Sequence, residues 1–323
     1  MKKIKLTCAH AIVKHLIAQK ILIDGKKQPL FAGAFGIFGH GNVACLGQAL
    51  EENKDKLPTY RGHHEQNMAL TGIAYARAKR RKQIFVATSS VGPGSTNMVT
   101  AAAVAMSNRI PILFLPGDTY ANRMPDPVLQ QVEHFNNPGI TQNDAFKPVT
   151  KYFDRLTRPE QILQTLPQAI QTMLDPADSG PACISMSQDV QGEVFEYPEE
   201  FFKETIHNIR RPRPDDFQIK QAAEKIKLSN NPIIISGGGV FYSDAMEDVA
   251  NFAEKHNIPV TQTVMGYSTM KRDHSHFLGP IGGLGGKAAN NFAKQTDLAI
   301  AVGTKLGDFT TGSWANFENP NFS

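Results

Sequence analysis

The chain has 323 residues, enough for two domains of ordinary size, and its 41% hydrophobic and 20% charged residues are normal for a soluble globular protein. The net charge of +4 is small and the basic residues are dispersed, which excludes a nucleic-acid binder; the one tight cluster, Arg210, Arg211 and Arg213, alternates with prolines. The stretch Ala11 to Ile23 is broken by Lys14, His15, Gln19 and Lys20, too polar for a signal-peptide core or a membrane span.

Cys8, Cys45 and Cys183 lie far apart. They have no metal-ligand spacing, and their odd count argues against a disulfide framework. A reducing compartment fits best, so the expected location is the cytoplasm.

Along the chain, apolar β-type runs alternate with helical patterns, which points to parallel α/β layers. Strands are predicted at Leu30 to Ala34, Ile84 to Thr88, Ile112 to Pro116 and Ala182 to Met186. Helices are predicted at Ala44 to Glu52, Glu65 to Arg80, Asn97 to Ser107 and Pro159 to Leu174. A polar, proline-bearing stretch then reads as an inter-domain linker over 196–216. Beyond it come a strand at Pro232 to Ser236, a helix at Ser243 to His256, and strands at Pro259 to Thr263 and Leu298 to Val302. The expected domains are 1–195 and 217–323, and the latter is expected to be incomplete, cut after its third strand.

Three segments in the first domain carry candidate chemistry. Gly36-Ile37-Phe38-Gly39-His40-Gly41-Asn42 follows a strand, and its glycines permit a sharp turn and close approach of a ligand. His63-His64-Glu65-Gln66-Asn67-Met68 leads into a helix, where the dipole favours a carboxylate in the first turn. It is no zinc motif, because Met68 stands where the second histidine would be. Ser89-Ser90-Val91-Gly92-Pro93-Gly94-Ser95-Thr96-Asn97 follows a strand and opens a helix, whose free N–H groups suit a polar ligand. Taken singly, each fits a ligand-free turn or surface helix start as well as a site.

Two later segments are weaker. Gly237-Gly238-Gly239 has Tyr242 where a dinucleotide turn needs its third glycine. Gly282-Gly283-Leu284-Gly285-Gly286-Lys287-Ala288 has Ile281 and Ala288 at positions that a P-loop fills with Gly and Ser or Thr. It reads as a loop.

Together the first three segments are far more specific. Phe35-Gly36, then His64-Glu65-Gln66 entering a helix with Ala74-Tyr75-Ala76-Arg77, then Thr88 to Asn97 resemble the pyrimidine-binding domain of thiamine-diphosphate enzymes of the acetohydroxyacid synthase type. Pro232 to Gly239, Asn257-Ile258-Pro259-Val260 and Val302-Gly303 resemble the central domain of that family. Within it, Phe35 to Ala44, Asn143 to Val149, Gln188 to Glu193 and Asp308 to Ser313 most resemble the trihydroxycyclohexane-1,2-dione hydrolases. Phe146-Lys147-Pro148 departs from the Phe-Gln-Glu usual in the synthases.

The resemblance implies an α/β fold of two doubly wound parallel-sheet domains, a pyrimidine-binding domain and an incomplete central one. It implies thiamine diphosphate as cofactor and a hydrolase that cleaves a C–C bond and opens the ring of a small cyclic polyol diketone. Glu65 matches the glutamate that exchanges a proton with the aminopyrimidine ring, and Gly92, Pro93, Gly94 and Asn97 match the loop beside that ring. His40 is the implied proton-transfer group; Asn42 and His64 are candidate substrate contacts. No metal ligand is expected in this chain, because family members hold the diphosphate and magnesium in a C-terminal domain for which no match is present. No FAD is expected either. The chain is therefore expected to be inactive alone, working as a homo-oligomer or with a complementing C-terminal half. The rivals are an acetohydroxyacid synthase or 2-oxo acid decarboxylase, a non-catalytic remnant, and a nucleotide-binding protein using Gly237 to Gly239.

Overall fold

A computed structural model describes residues 2–122, 124–125, 127–132 and 134–323. The chain divides into two compact units, Met1–Arg211 and Pro212–Ser323.

The first unit is built on a seven-stranded sheet ordered Thr59–Arg61, Phe31–Ile37, Ile84–Ser89, Leu113–Phe114, Ala182–Ser187, with Gly117–Asp118 and Tyr152–Leu156 both against the last. Every pairing in it is parallel. Parallel sheets bury both faces, and the sequence supplies residues for both. Leu113, Leu115, Ile184 and Met186 enter one core cluster with Ile12, Leu46 and Leu166. The intervening Phe114 and Cys183 enter the other, with Met68, Ile73 and Ala102. The helix Glu65–Ala78 lies on that second face and buries Met68, Ala69, Gly72, Ile73 and Ala76. Ala74, which the sequence placed with them, is exposed.

The second unit repeats the logic. Its parallel sheet runs Phe277–Pro280, Val260–Gln262, Pro232–Ser236, Leu298–Val302. Ile234 faces Val249 and Ala253, from the helix Met246–His256; Ile233 and Ile235 face Ala289 and Ala293, from the helix Lys287–Gln295. The unit thus has a fourth strand, Phe277–Pro280, that the sequence did not announce. Glycine and proline inside that run disguise it, and its place at the sheet edge tolerates them.

The expected linker over 196–216 is corrected in its first part, up to His207; the boundary between the units, at Arg211 and Pro212, falls within the rest. Val194–Pro198 is a strand paired antiparallel with Lys3–Thr7, and Thr205–His207 joins Gln19–Ile23. Tyr197 is fully buried and donates its hydroxyl to Pro159 O at 3.1 Å. Phe201 stacks on His15 with ring centroids 4.0 Å apart and accepts a hydrogen bond from His15 Nδ1 at 2.8 Å. Glu196 sits on an outward position of a strand whose inward ones, Phe195 and Tyr197, are aromatic. The strand hairpin Gln19–Ile23 and Lys26–Pro29 is also an addition to the predicted elements, although Asp24-Gly25, both at positive φ, is a strong turn signal.

At the far end of the first sheet, Arg155 donates to the fully buried Asp118 (2.8 Å), to Asp144 (2.9 Å) and to Thr141 Oγ1 (2.8 Å). Ser185 also donates to Asp118. Burial works against the charge on Asp144, but Lys147, the Thr141 N–H and Arg155 outweigh it and hold the carboxyl below its ordinary range.

Burial pushes the His15 imidazole down to about 4, against the opposing pull of the Phe201 carbonyl. The unfolded chain therefore takes up the proton first as pH falls. The stabilisation from neutral His15 is complete above pH 6.5 and is lost towards about pH 4. Urea midpoints measured across that window should fall less steeply for His15→Phe than for the parent, by on the order of 3 kcal/mol in total.

Candidate functional site

In an open parallel sheet, ligands bind beyond the carboxyl ends of strands where the strand order reverses. Here that point lies between Phe31–Ile37 and Ile84–Ser89, which are neighbours in the sheet although Thr59–Arg61 lies between them in sequence. Both strands end in glycine-bearing turns, and the two turns pack on each other. A Cβ on Gly39 would meet Ser90 Oγ at 2.6 Å, and one on Gly41 would meet Val91 N at 2.9 Å.

Asn42 ties these turns to the sheet. It is 1% exposed. Its Nδ2 donates to Thr88 Oγ1 (2.8 Å) and Ser89 O (2.7 Å), and its Oδ1 accepts from Gln191 Nε2 (3.0 Å). Thr88 in turn donates to Leu115 O at 2.7 Å. A Cβ on Gly117 would sit 2.5 Å from Asn42 Oδ1. Asn42 is therefore a structural knot under the site, where its motif suggested a substrate contact: both Nδ2 hydrogens and one Oδ1 lone pair are committed to the chain.

Glu65 is the first residue of its helix and is half-buried. Asn97 donates from Nδ2 to Glu65 Oε2 at 2.7 Å. Oε1 faces the second turn, where a Cβ on Gly94 would lie 3.5 Å from it and 3.3 Å from Ser90 Cβ. Glu65, Gly94 and Asn97 are thus brought together as the motifs suggest. One carboxylate oxygen is held, and the other faces backbone stripped of side chains.

Gly92 has φ 70° and ψ −126°, a conformation that only glycine adopts readily. A Cβ there would meet Gln130 O at 1.8 Å. The segment after Asp118 therefore crosses directly over Gly92. Gln142, with its amide oriented to satisfy both ends, accepts from Gly92 N at 3.2 Å and donates to Gln131 O at 2.6 Å. Pro93 opens a short helix, Pro93–Thr96, separate from Val99–Asn108, which is the helix expected over Asn97 to Ser107.

His40 is exposed, and its Nε2 bonds to Leu129 O at 2.8 Å, so it fastens the same crossing segment. A carbonyl only accepts, so this nitrogen carries a proton. His64 is the helix N-cap, its Nδ1 accepting from Asn67 N at 3.3 Å; both it and His63 are exposed. Leu129, Gln130 and Gln142 were not singled out in the sequence. None has a spacing signature, because their roles come from where the backbone at 129–131 crosses Gly92 and His40.

The glycines of the second unit do a different job. A Cβ on Gly237 would lie 2.3 Å from Thr304 Cβ, and one on Gly239 would lie 2.6 Å from Gly303 Cα. The absent side chains let two strand ends touch. Gly282 and Gly283 likewise pack on Phe309, whose carbonyl accepts from Gly283 N at 2.9 Å. Among the described residues, no group of three or more His, Cys, Asp or Glu is placed to hold a metal ion, and no helix is long and apolar enough to cross a membrane.

Asn42→Ala should destabilise the first unit by about 3 kcal/mol, because it leaves several buried partners unpaired at once. His64→Ala, which removes only an exposed cap, should cost about 0.5–1 kcal/mol. Urea denaturation of the two variants checks the difference.

Residues 19–137 match the N-terminal TPP binding domain of thiamine pyrophosphate enzymes, and residues 219–322 match the central domain. A 3D-(3,5/4)-trihydroxycyclohexane-1,2-dione hydrolase of Clostridium tetani is 50% identical over 319 residues, 99% of this chain and 50% of the relative. The protein of the same name from Geobacillus thermodenitrificans is 50% identical over 313 residues, 97% of this chain and 49% of the relative. One from Bacillus cereus is 48% identical over 319 residues. The chain spans about half the length of the curated relatives it matches.

Proposed function

Because the chain belongs to the thiamine pyrophosphate enzyme family, with its N-terminal and central domains, we propose that it is the pyrimidine-binding part of a hydrolase that opens the ring of trihydroxycyclohexane-1,2-dione in inositol breakdown. The observation that carries this reading is the Glu65–Asn97 pair beside the bare Gly92–Gly94 turn. The relatives' name supplies the substrate, a small cyclic polyol diketone.

The residues fit the aminopyrimidine of thiamine diphosphate. A flat heteroaromatic ring needs a carboxyl at its edge and an open face, and a side chain at Gly94 would fill the space next to Glu65 Oε1. When bound, thiamine diphosphate supplies a carbon nucleophile for C–C bond cleavage. Glu65 holds and returns a proton at Oε1. Asn97 keeps Oε2 occupied, so the carboxyl cannot rotate away, and this alignment is what makes proton exchange efficient. Gly92 and Gly94 keep the floor of the site clear. His40 fastens the backbone at Leu129 near the mouth and is the remaining candidate for a proton donor to substrate. Asn42 supports both turns from below.

In this reading the diphosphate and magnesium are held by residues outside this chain, FAD plays no part, and activity belongs to a cytoplasmic homo-oligomer or to this chain joined by a complementing C-terminal half. The test is co-expression with the C-terminal half of the Clostridium tetani relative, supplied with thiamine diphosphate and magnesium. Consumption of the dione is expected from the pair and not from this chain alone, with Glu65→Gln lowering the rate by about 10²–10⁴-fold. Consumption of pyruvate in place of the dione would overturn the substrate assignment and favour a synthase or decarboxylase.

A further inference from the structure

The parallel sheet of the second unit has two edges, and they are built differently. Phe277–Pro280 ends in Gly279, at φ 93°, and Pro280, and its pairing with Val260–Gln262 shifts register once. Glycine, proline and an irregular register discourage an edge from pairing further. The other edge, Leu298–Val302, reads Leu-Ala-Ile-Ala-Val, with no charge, proline or glycine. A continuous apolar run is the pattern of a strand inside a parallel sheet. Here only Leu298 is buried, and Ala301 is exposed.

The outer side of this strand is already used once. Ser323 N–H donates to Asp297 O at 3.0 Å, and Ala299 N–H donates to Ser323 O at 3.2 Å. One residue bonded in this way to the two that flank Leu298 is the pattern of a parallel pair. Backbone groups alternate along a strand, so Ala301 turns outward as Ala299 does. Val302 O, which accepts from Gly237 N at 2.9 Å, turns inward. The carbonyl of Ala299 and both backbone groups of Ala301 thus face outward, and among the described residues no strand lies beyond them.

The face beside this edge is uncovered as well. The helix Asp216–Leu228 carries Ile219, Ala222, Ala223 and Ile226 at the spacing of a core-facing stripe, yet none of its residues is buried. Ile226 packs on the cluster whose margin includes Ile300 and Val302. Ile219, earlier in the same stripe, is 48% exposed. An open edge and an open apolar stripe therefore lie on one face of the sheet.

We propose that Leu298–Val302 seats a further parallel strand, supplied by the complementing C-terminal half, and that the chain following this strand covers the Ile219 stripe. The identity of the partner rests on the reading given under Proposed function, since about half of each curated relative lies outside its match to this chain. A second copy of the chain is a poorer occupant. Two copies about a twofold axis would pair this strand with itself antiparallel, and Ser323 holds one end of the edge in each.

The test co-expresses the whole chain with the C-terminal half of the Clostridium tetani relative. The purified pair is followed on dilution by size-exclusion chromatography and by amide hydrogen exchange, neither of which needs the dione. A complex is expected in which the Ala301 N–H, open in the chain alone, becomes protected. Ala301→Pro removes that outward N–H and spares the bonds to Pro232–Ser236. It should raise the dissociation constant about tenfold or more, as should Ile219→Asp. Circular dichroism establishes that both variants fold. The proposal is overturned by the absence of a complex, by a complex in which the Ala301 N–H stays open, by an affinity that Ala301→Pro leaves unchanged, or by a dimer of this chain that the partner half does not displace. A complex that pairs in this way but leaves the dione untouched supports the docking surface and overturns the substrate reading alone.

Discussion

The amide of Asn42 is the point through which the first unit is assembled around its site. It lies under the first turn, donates to the end of the second strand, and accepts from Gln191, beyond the end of the Ala182–Ser187 strand. Thr88 passes the connection on to Leu115. Four segments distant in sequence are therefore held in register by one buried side chain. The low dielectric around it strengthens each bond and penalises the loss of any. Gly117 is a glycine because Asn42 stands where its side chain would go.

On that foundation the two turns do different work. The first has glycines because it must lie against Ser90 and Val91; the second has them because the chain crosses at Gln130 and because Glu65 needs an open neighbour. The same residue type thus serves chain packing in one place and an open floor in the next. The second unit shows packing alone: Gly237 and Gly239 fit against Gly303 and Thr304. A glycine-rich turn after a strand is common to both units, and in the first the Glu65 carboxylate stands beside it.

Much of this was legible in the sequence. The alternation of apolar runs and helical patterns pointed to the parallel sheets, since a strand buried on both faces reads as a continuous apolar run. Glu65, Gly94 and Asn97 were found as a set through the joint resemblance of their motifs to a pyrimidine-binding domain, since each motif alone reads as a local turn or helix start. The structural part of Asn42 was not legible, because a motif reports which residue is present and not which way it points. The first part of the 196–216 segment, up to His207, was misread for a related reason. Its charges and prolines resemble those of a linker, and the partners that make Tyr197 and Phe201 core residues are a strand and a helix almost two hundred residues earlier. The same distance in sequence hid the role of Leu129 and Gln130, whose backbone carbonyls act without regard to their side chains.

The charged corner at Asp118, Arg155 and Asp144 has a consequence for how the sequence can drift. Each member is satisfied only while the others are present, with Ser185 and Thr141 filling the remaining bonds. An apolar trio of similar volume is often as stable as a buried ionic one, but losing one ion strands its partner and costs about 3–5 kcal/mol. Between two workable versions of this corner lies a valley that single substitutions enter at a loss. The three positions are therefore epistatically locked, and a change at one is tolerable only in a background where the others have already moved.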